Sequence, residues 1–327
     1  MKTTKTVLII SLAVAFIAGM LTVPKICICG AIKGITLCGE TIIPSLFPFT
    51  VCILMIMRSQ TGKIPKEKTV FFLSLIGGYP IGAKLIDELY NNGEISKNGA
   101  HLMQCCCVNA GPAFIVTAVG AQMLKSEKIG WYLLFSHIFP SLMIYFVLRK
   151  RIKKSLYIKN TDSQAGLKIS TLFTESIGDA SSSIILICAY VILFSVVTEL
   201  ISSIKKTSRI AMFLEVTTAI SNEKNIYIIA FLLGFSGISI WMQVFAVSKN
   251  CGINTKLFIL FRILHGILSA LILKFLILIF NPSFPTISIA NSERIFVMNP
   301  AETAVSLCIL AAVFILSFEN QKNVEIF

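Results

Sequence analysis

The chain has 327 residues, of which 55% are hydrophobic and 14% are charged, and its formal net charge is +13. A soluble domain carries about 25% charged residues. With a mean hydropathy of +0.83, this composition excludes a soluble enzyme, a disordered chain and a nucleic-acid-binding protein. The excess of Lys and Arg instead fits a membrane protein, whose cytoplasmic loops are basic. The lipid bilayer is therefore the first predicted partner.

The ten cysteines lie almost all inside apolar runs. A free thiol in such surroundings behaves as a small buried hydrophobe. Their spacing also lacks the paired Cys and His ligands of a zinc site. We therefore expect no metal site, no cofactor and no disulfide framework.

Apolar runs follow one another along the chain. A helix needs about 20 mainly apolar residues to cross the hydrocarbon core. The first run, 6–24, is interpreted as an uncleaved helix, because no clear signal-peptide cleavage site precedes a soluble domain. The later runs are 41–57, 69–83, 98–124, 129–148, 180–198, 225–248, 257–280 and 303–318.

Two basic clusters set the predicted orientation. The densest one, at 149–154, follows the run 129–148, and a second lies at 58–68. Cytoplasmic loops carry an excess of Lys and Arg, so we expect both clusters and the N-terminus in the cytoplasm. Three apolar segments lie between the clusters, and three full crossings would leave residue 149 outside. One of these segments must therefore enter and leave on the same face.

The segment 69–90 is the candidate for this re-entrant hairpin. It is short, and the sequence GGYPIG at 77–82 interrupts it. Glycine permits a tight turn, and Pro80 cannot continue a helix. Irregular backbone at membrane depth is tolerated only where it is buried in protein or lines a cavity. We therefore predict a hairpin whose tip lies within the membrane.

The next span, 98–124, is also interrupted, because Asn109, Gly111 and Pro112 lie in its middle. Helix ends at such a break leave backbone amides and carbonyls unpaired, and the amide ends attract anions. Glycine motifs also serve the close packing of helices. Their ordered recurrence in both halves of the chain favours a binding role.

The second half repeats the plan of the first. An amphipathic stretch at 168–181 leads into a span, a short apolar piece follows at 209–222, and GFSGIS at 234–239 interrupts the next span before the long helix 257–280. The second copy starts on the opposite face, and paired broken helices in two inverted halves indicate a secondary transporter with a midplane site. The predicted fold is therefore an all-α polytopic membrane protein with two inverted repeats, re-entrant hairpins and broken transmembrane helices. The predicted divisions are an N-terminal transmembrane helix at 1–30, a first repeat at 31–150, a basic cytoplasmic linker at 151–167, a second repeat at 168–280, and a loop with a C-terminal transmembrane helix at 281–327.

Ionisable side chains inside the membrane are costly and indicate function by default. Lys84, four residues after Pro80, could reach back to the tip or pair with Glu88 at i+4. Arg262 lies five residues into its span. Glu215, beside a pair of threonines, is either an ion or proton site or an interfacial carboxylate in water.

An enzymatic alternative rests on Ser236 and His265. GFSG at 234–237 followed by His265 is similar to the pattern of intramembrane serine proteases, in which Ser and His form a dyad. That family places the two residues on helices separated by an intervening span, whereas here one loop separates them. No zinc-protease, P-loop or dinucleotide-binding motif is found in the sequence. We expect that the chain is not an enzyme.

Several sequence blocks together resemble one family. The blocks are PSLFPF at 44–49, GGYPIGAKLIDELYNNGEIS at 77–96, NAGPAFI at 109–115, FLEVTTAIS at 213–221, GFSGISIWMQ at 234–243 and RILHG at 262–266. They resemble the sporulation integral membrane protein YlbJ family over about residues 30–275. That family belongs to the nucleoside-recognition, or Gate, group, whose wider fold is similar to concentrative nucleoside transporters.

The resemblance implies a membrane protein of an endospore former, in the cell membrane or the outer forespore membrane, that passes dipicolinic acid from mother cell to forespore. A small anion of this kind needs cationic or amide-rich sites, and a coupling ion can accompany it. The alternatives are a non-transporting scaffold for spore envelope assembly and a nucleoside or ion carrier. The expected binding residues are Gly77, Gly78, Tyr79, Pro80, Gly82 and Lys84 at one tip, with Tyr79 stacking on or capping the ring; Asn109, Gly111 and Pro112 at the facing break; Glu215, Thr217, Thr218, Ser236, Gly237, Ser239 and Gln243 in the second half; and Arg262.

Overall fold

The computed structural model describes residues 2–59, 66–156, 169–203 and 211–280. These residues form helices and short connections, with one isolated β-bridge between Ile95 and Leu156. The predicted all-α fold is therefore confirmed. The predicted C-terminal helix and residues 157–167 of the predicted linker lie outside the described residues.

The helices are separated by short loops or by breaks within a span. In chain order they are α1 (Lys2–Thr22), α2 (Pro24–Leu37), a π-helix (Cys38–Ile42), α3 (Ile43–Ser59), α4 (Lys66–Gly77), α5 (Tyr79–Asn91), α6 (Lys97–Cys107), a second π-helix (Ala113–Met123), α7 (Glu127–Lys154), α8 (Ile169–Ser202), α9 (Val216–Asn222), α10 (Ile226–Phe235), α11 (Gly237–Val247) and α12 (Thr255–Phe280).

Four stretches of the described chain are long and apolar enough to cross a membrane. They are α7, α8, α12 and the broken stretch Ile226–Val247. The bent pair Ala13–Thr22 and Pro24–Ile42, from the end of α1 through α2 and the first π-helix, gives a fifth candidate with a bend of 105°. The chain is thus a polytopic integral membrane protein.

Two long antiparallel stretches, 24–59 and 169–202, form what we call the long-helix pair. Lys33 Nζ lies 2.6 Å from Glu199 Oε1 near one end of the pair, and Arg58 forms an ion pair with Asp179 near the other end. Glycine allows the close approach between them, because a Cβ atom on Gly34 would lie 2.7 Å from a backbone atom of α8. The described part of the predicted amphipathic stretch 168–181, residues 169–181, continues without a break into the rest of α8.

The helices α4–α7 and α9–α12, with the second π-helix, form a second group, which we call the broken-helix group. Its helices meet through glycine contacts that occur once in each half. A Cβ atom on Gly234 of α10 would lie 2.6 Å from Gly266 Cα of α12. A Cβ atom on Gly120 of the π-helix would lie 2.6 Å from Gly130 Cα of α7. Backbones that approach this closely leave no room for a larger side chain.

The hairpin predicted at 69–90 is present and turns at Gly78. Gly78 has a φ of 87°, which favours glycine, and it separates α4 from α5. A Cβ atom on Gly82 would lie 2.8 Å from Ser74 Cβ. In a continuous helix, residues eight apart are about 12 Å apart along the axis. The chain therefore reverses its direction at Gly78.

Both ends of the hairpin lie at the basic end of α7. At the entry, the Phe71 ring stacks on the Tyr145 ring with centroids 4.2 Å apart. At the exit, Ser96 N donates a hydrogen bond of 2.8 Å to Ser155 O. Since Tyr145 and Ser155 both lie in the last third of α7 or just beyond it, the hairpin enters and leaves on one side of the protein.

The two predicted breaks are also present. The first lies at 108–112, between α6 and the π-helix, and the second lies at Ser236, whose φ is 71°. In the second half the counterpart of the hairpin is shorter, since α9 spans only Val216–Asn222 and follows a turn at 211–214. The order of elements is the one expected for two inverted halves, and the division at residues 31–150 and 168–280 stays a prediction.

The close packing of Gly82 gives a testable prediction. Gly82→Ala would place a Cβ atom against Ser74 and the Cys107 carbonyl oxygen, so we expect the free energy of unfolding to fall by about 1–3 kcal/mol. Gly178→Ala in α8 is the matched control, because nothing lies within 4 Å of its Cβ position, and it should stabilise the helix by up to about 1 kcal/mol. Unfolding in detergent micelles measures both, and equal stabilities for the two variants would contradict the hairpin packing.

Candidate solute-binding cavity

A cavity lies between the long-helix pair and the broken-helix group. The wall from the long-helix pair is apolar and consists of Ile42, Leu46, Ile187 and Val191. The opposite wall comes from the hairpin tip, the first break, the start of α9 and α11. Its residues are Gly78, Tyr79, Pro80, Gly111, Phe114, Glu215, Val216, Thr217, Ile240 and Gln243.

The structure brings together predicted site residues from both halves of the chain. Those that line the cavity are Gly78, Tyr79, Pro80, Gly111, Glu215, Thr217 and Gln243. The other predicted residues lie outside its lining and serve the helices around it. The binding role of the cavity residues stays a prediction.

Arg262 does not line the cavity, and it caps the end of α6 at the first break. Its guanidinium, which is fully buried, donates to Val108 O and, at 3.0 Å, to Cys105 O. Asn109 Nδ2 donates to Cys106 O at 2.8 Å. A helix that ends inside a membrane leaves its last carbonyls without partners, and a cation at that end also matches the helix dipole. Arg262 and Asn109 therefore supply the bonds that the broken helix lacks.

Two histidines join the break to the helices behind it. Ala110 N donates to His137 Nε2 at 3.0 Å, and His265 Nε2 lies 3.0 Å from His137 O. Arg262 donates to His265 Nδ1 at 3.3 Å. These bonds assign the proton of His265 to Nε2. Because both His265 nitrogens are engaged in this way, the geometry gives no support to a dyad with Ser236.

The backbone groups at the second break also have hydrogen-bond partners within the protein. The Tyr79 hydroxyl donates a bond of 2.7 Å to Leu233 O, in the last turn of α10. At the start of α11, Ile238 N and Ser239 N donate to the carbonyls of Phe213 and Leu214 at 2.9 and 2.8 Å. The amides at 238 and 239 are therefore bonded to the chain before α9. The expectation that they form an anion site is not supported.

Lys84 lies away from the cavity and binds the long-helix pair. Its Nζ donates to Asp179 O at 3.2 Å and to Ser183 Oγ at 3.1 Å. Because α5 is a regular helix from Tyr79, Lys84 lies more than one turn beyond the tip. At that position its side chain reaches α8. The expectation that Lys84 reaches back to the tip is therefore wrong.

Glu215 is the one acidic or basic side chain in the cavity lining that the structure describes. It is 2% exposed, so it is not an interfacial carboxylate in water. Oε1 accepts a bond of 3.0 Å from Thr217 N, and Oε2 accepts a bond of 2.6 Å from Thr218 N. Glu215 is thus the N-cap of α9. Its carboxyl group is fixed at the cavity wall by the backbone of the helix that it caps.

The remaining predicted residues support the backbone around the site. Gly77 packs against Ile53 and Ile81, and Gly237 has a φ of 76° at the second break. Ser239 Oγ accepts from Gln243 Nε2 at 3.4 Å. Pro112 ends the first break, before the π-helix. No group of three or more His, Cys, Asp or Glu side chains that could hold a metal comes together within the described ranges.

The apolar wall of the cavity was missed by sequence reasoning. This wall consists of Ile42, Leu46, Ile187 and Val191. They lie in apolar runs, in which the residues that face lipid and the residues that face protein are of the same types. Phe114, two residues after Pro112, carries a weak signal because it follows a predicted break. Residue type alone gives no way to separate a cavity wall from a lipid-facing surface in such runs.

The bond from Tyr79 to the second break can be tested by removing one oxygen. Tyr79→Phe leaves the buried Leu233 carbonyl without its donor, so we expect a loss of about 1–3 kcal/mol in the free energy of unfolding. Tyr227→Phe is the control, because Tyr227 is 36% exposed, and it should change stability by less than about 0.5 kcal/mol. Unfolding in detergent micelles compares the two variants, and an unchanged Tyr79→Phe variant would contradict the bond.

The chain is similar to the sporulation integral membrane protein YlbJ of Bacillus subtilis (strain 168). The two are 21% identical over 344 aligned positions, which cover 85% of this chain and 84% of that protein. No family model matches the chain, and no solved structure matches it. The assignment to the nucleoside-recognition, or Gate, group stays a prediction. The predicted relationship is confirmed by this similarity over most of both proteins, and the chain is a multi-pass integral membrane protein related to the YlbJ family.

Proposed function

We propose that the chain is a sporulation-associated transporter that moves a small solute across its membrane through the cavity between the long-helix pair and the broken-helix group. The observation that carries this proposal is the cavity itself. It is bounded by the hairpin tip, by a helix break and by the start of α9, and it is lined mainly by apolar side chains with a few polar groups, as small-molecule sites are. Sites between paired broken helices are typical of secondary transporters.

Alternating access follows from the way in which the two groups of helices meet. One wall of the cavity belongs to each group, so a movement of one group against the other changes which face the cavity opens to. The contact of Lys84 with Asp179 and Ser183 links the two groups on the side where the hairpin enters. This link holds α5 against α8 in the conformation described.

The candidate solute is dipicolinate, and the proposed location is the outer forespore membrane of an endospore former. Both come from the resemblance to the YlbJ family, whose relative in Bacillus subtilis is named for sporulation. The apolar cavity suits a planar aromatic ring, with Tyr79 beside it and with Glu215, Thr217 and Gln243 as its polar partners. A coupling ion is part of this proposal. We propose a role that is not enzymatic; His265, the base considered for a dyad with Ser236, is bonded to Arg262 and to His137 O instead.

A nucleoside is the second candidate solute. The observation in its favour is that the described lining contains no basic side chain, and a neutral nucleoside needs none. Hydrogen bonds to a carboxylate and an amide would fix a sugar or a base as well as they would fix a protonated acid.

The transport proposal is tested by filling the cavity. Val191→Trp places a large ring in the cavity wall, whereas Leu193→Trp changes a residue of the same helix that is 46% exposed. We expect Val191→Trp to lower solute flux in proteoliposomes at least about tenfold, the effect of about 1.4 kcal/mol of lost binding. Leu193→Trp should keep the flux of the unchanged protein.

The assay compares dipicolinate with uridine, and both variants are first checked for normal folding in detergent. Faster flux of uridine would favour the nucleoside carrier. An absence of flux for both solutes in the unchanged protein would contradict transport and favour the alternative of a scaffold for spore envelope assembly.

A further inference from the structure

The charge of the cavity is the opposite of what an anion site requires. Among the lining residues that the structure describes, one carboxyl group is present, at Glu215, and no Lys, Arg or His. Both Glu215 oxygens accept bonds from backbone amides, at 3.0 and 2.6 Å. They act as acceptors, as the oxygens of a carboxylate do.

Glu215 has no cation opposite it in the described part of the chain. The ion pairs found there are Lys33 with Glu199 and Arg58 with Asp179, and neither includes Glu215. Among the described residues, the Glu215 carboxyl group is therefore held by backbone amides and not by a basic side chain. A second negative charge in the same cavity would meet the charge of Glu215 across a medium of low dielectric constant, where like charges repel strongly.

The basic side chains of Arg262 and Lys84, which lie outside the cavity lining, are bonded to other partners. The guanidinium of Arg262 bonds the carbonyls at the end of α6, and Lys84 bonds α8. The amides of Ile238 and Ser239 at the second break are bonded to carbonyls as well. One of these donors, Arg262 Nε, has no partner among the described residues, but Arg262 does not line the cavity.

We infer that Glu215 makes the cavity selective for solutes without net negative charge, so that a dicarboxylate enters only with its charge neutralised by bound protons or a bound cation. This inference rests on the proposed function for the path of the solute, and it assigns the charge class of the substrate. Glu215 accepts hydrogen bonds from the solute or faces its positive charge. The apolar wall at Ile187 and Val191 contacts the body of the solute.

The charge of the cavity can be measured without any solute. A Val191→Cys variant of the full chain, in which Cys188→Ser removes the native thiol from the same peptide, is treated in vesicles with two methanethiosulfonate reagents, one carrying trimethylammonium and the other carrying sulfonate. Mass spectrometry of the peptide that contains position 191 gives each labelling rate, and the rates are divided by those of the same reagents with 2-mercaptoethanol. We expect the normalised labelling rate of the cationic reagent to be at least about tenfold higher than that of the anionic reagent. One negative charge near the thiol attracts the first reagent and repels the second in a medium of low dielectric constant.

Variants at position 215 separate the charge from other properties of the cavity. Glu215→Gln keeps the shape of the side chain and should reduce the preference to less than about threefold, whereas Glu215→Asp should retain it. Glu127→Gln removes an exposed carboxylate at the start of α7 and should leave the preference unchanged. Equal rates for the two reagents in the Val191→Cys variant would overturn the inference even where Glu215→Gln fails to fold.

Flux measurements distinguish this inference from the proposed function. In proteoliposomes, dipicolinate alone is compared with dipicolinate plus an equimolar divalent cation and with its neutral diamide. The inference predicts that the two neutral forms move at least about tenfold faster than the free dianion, and faster movement of the dianion would overturn it. A cationic preference in labelling without flux of any form would contradict transport and leave the charge selectivity of the cavity standing.

Discussion

The structure depends on one constraint, which is that no backbone polar group inside the hydrocarbon core can remain without a partner. The chain breaks two of its spans, and each break is repaired by a side chain from the opposite half. Arg262 of the second half bonds carbonyls at the first break, and Tyr79 of the first half bonds Leu233 before the second break. The two halves are therefore joined through the groups that the breaks expose, and neither half satisfies its own break alone.

This bonding between the two halves determines which polar groups remain available in the cavity. Since the amides and carbonyls at the breaks are largely used within the protein, the polar chemistry of the site comes from a few side chains, with Glu215 as the charged one. The rest of the lining is apolar. In the proposed function, the apolar wall of the site contacts the body of a solute, and Glu215 discriminates among solutes by their charge.

The sequence predicted the features that depend on local backbone chemistry. The turn at Gly78, the break before the π-helix and the break at Ser236 follow from glycine and proline, whose effects on the backbone are local. The prediction that both ends of the hairpin lie on the same face came from the positions of the basic clusters along the chain. The partners of Lys84 and Arg262 could not be predicted, because a long side chain has several neighbours within reach and only the packed helices decide among them.

The central claim is that the chain dips into the bilayer at Gly78 and returns to the face from which it came. The direct measurement is labelling of single cysteines with an impermeant reagent in sealed, oriented vesicles. The variants Lys68→Cys and Asn92→Cys are exposed positions at the entry and the exit, and Lys128→Cys lies at the opposite end of α7. The account predicts that the first two are labelled from one face and the third from the other. Labelling of Lys68→Cys and Asn92→Cys from opposite faces would contradict it.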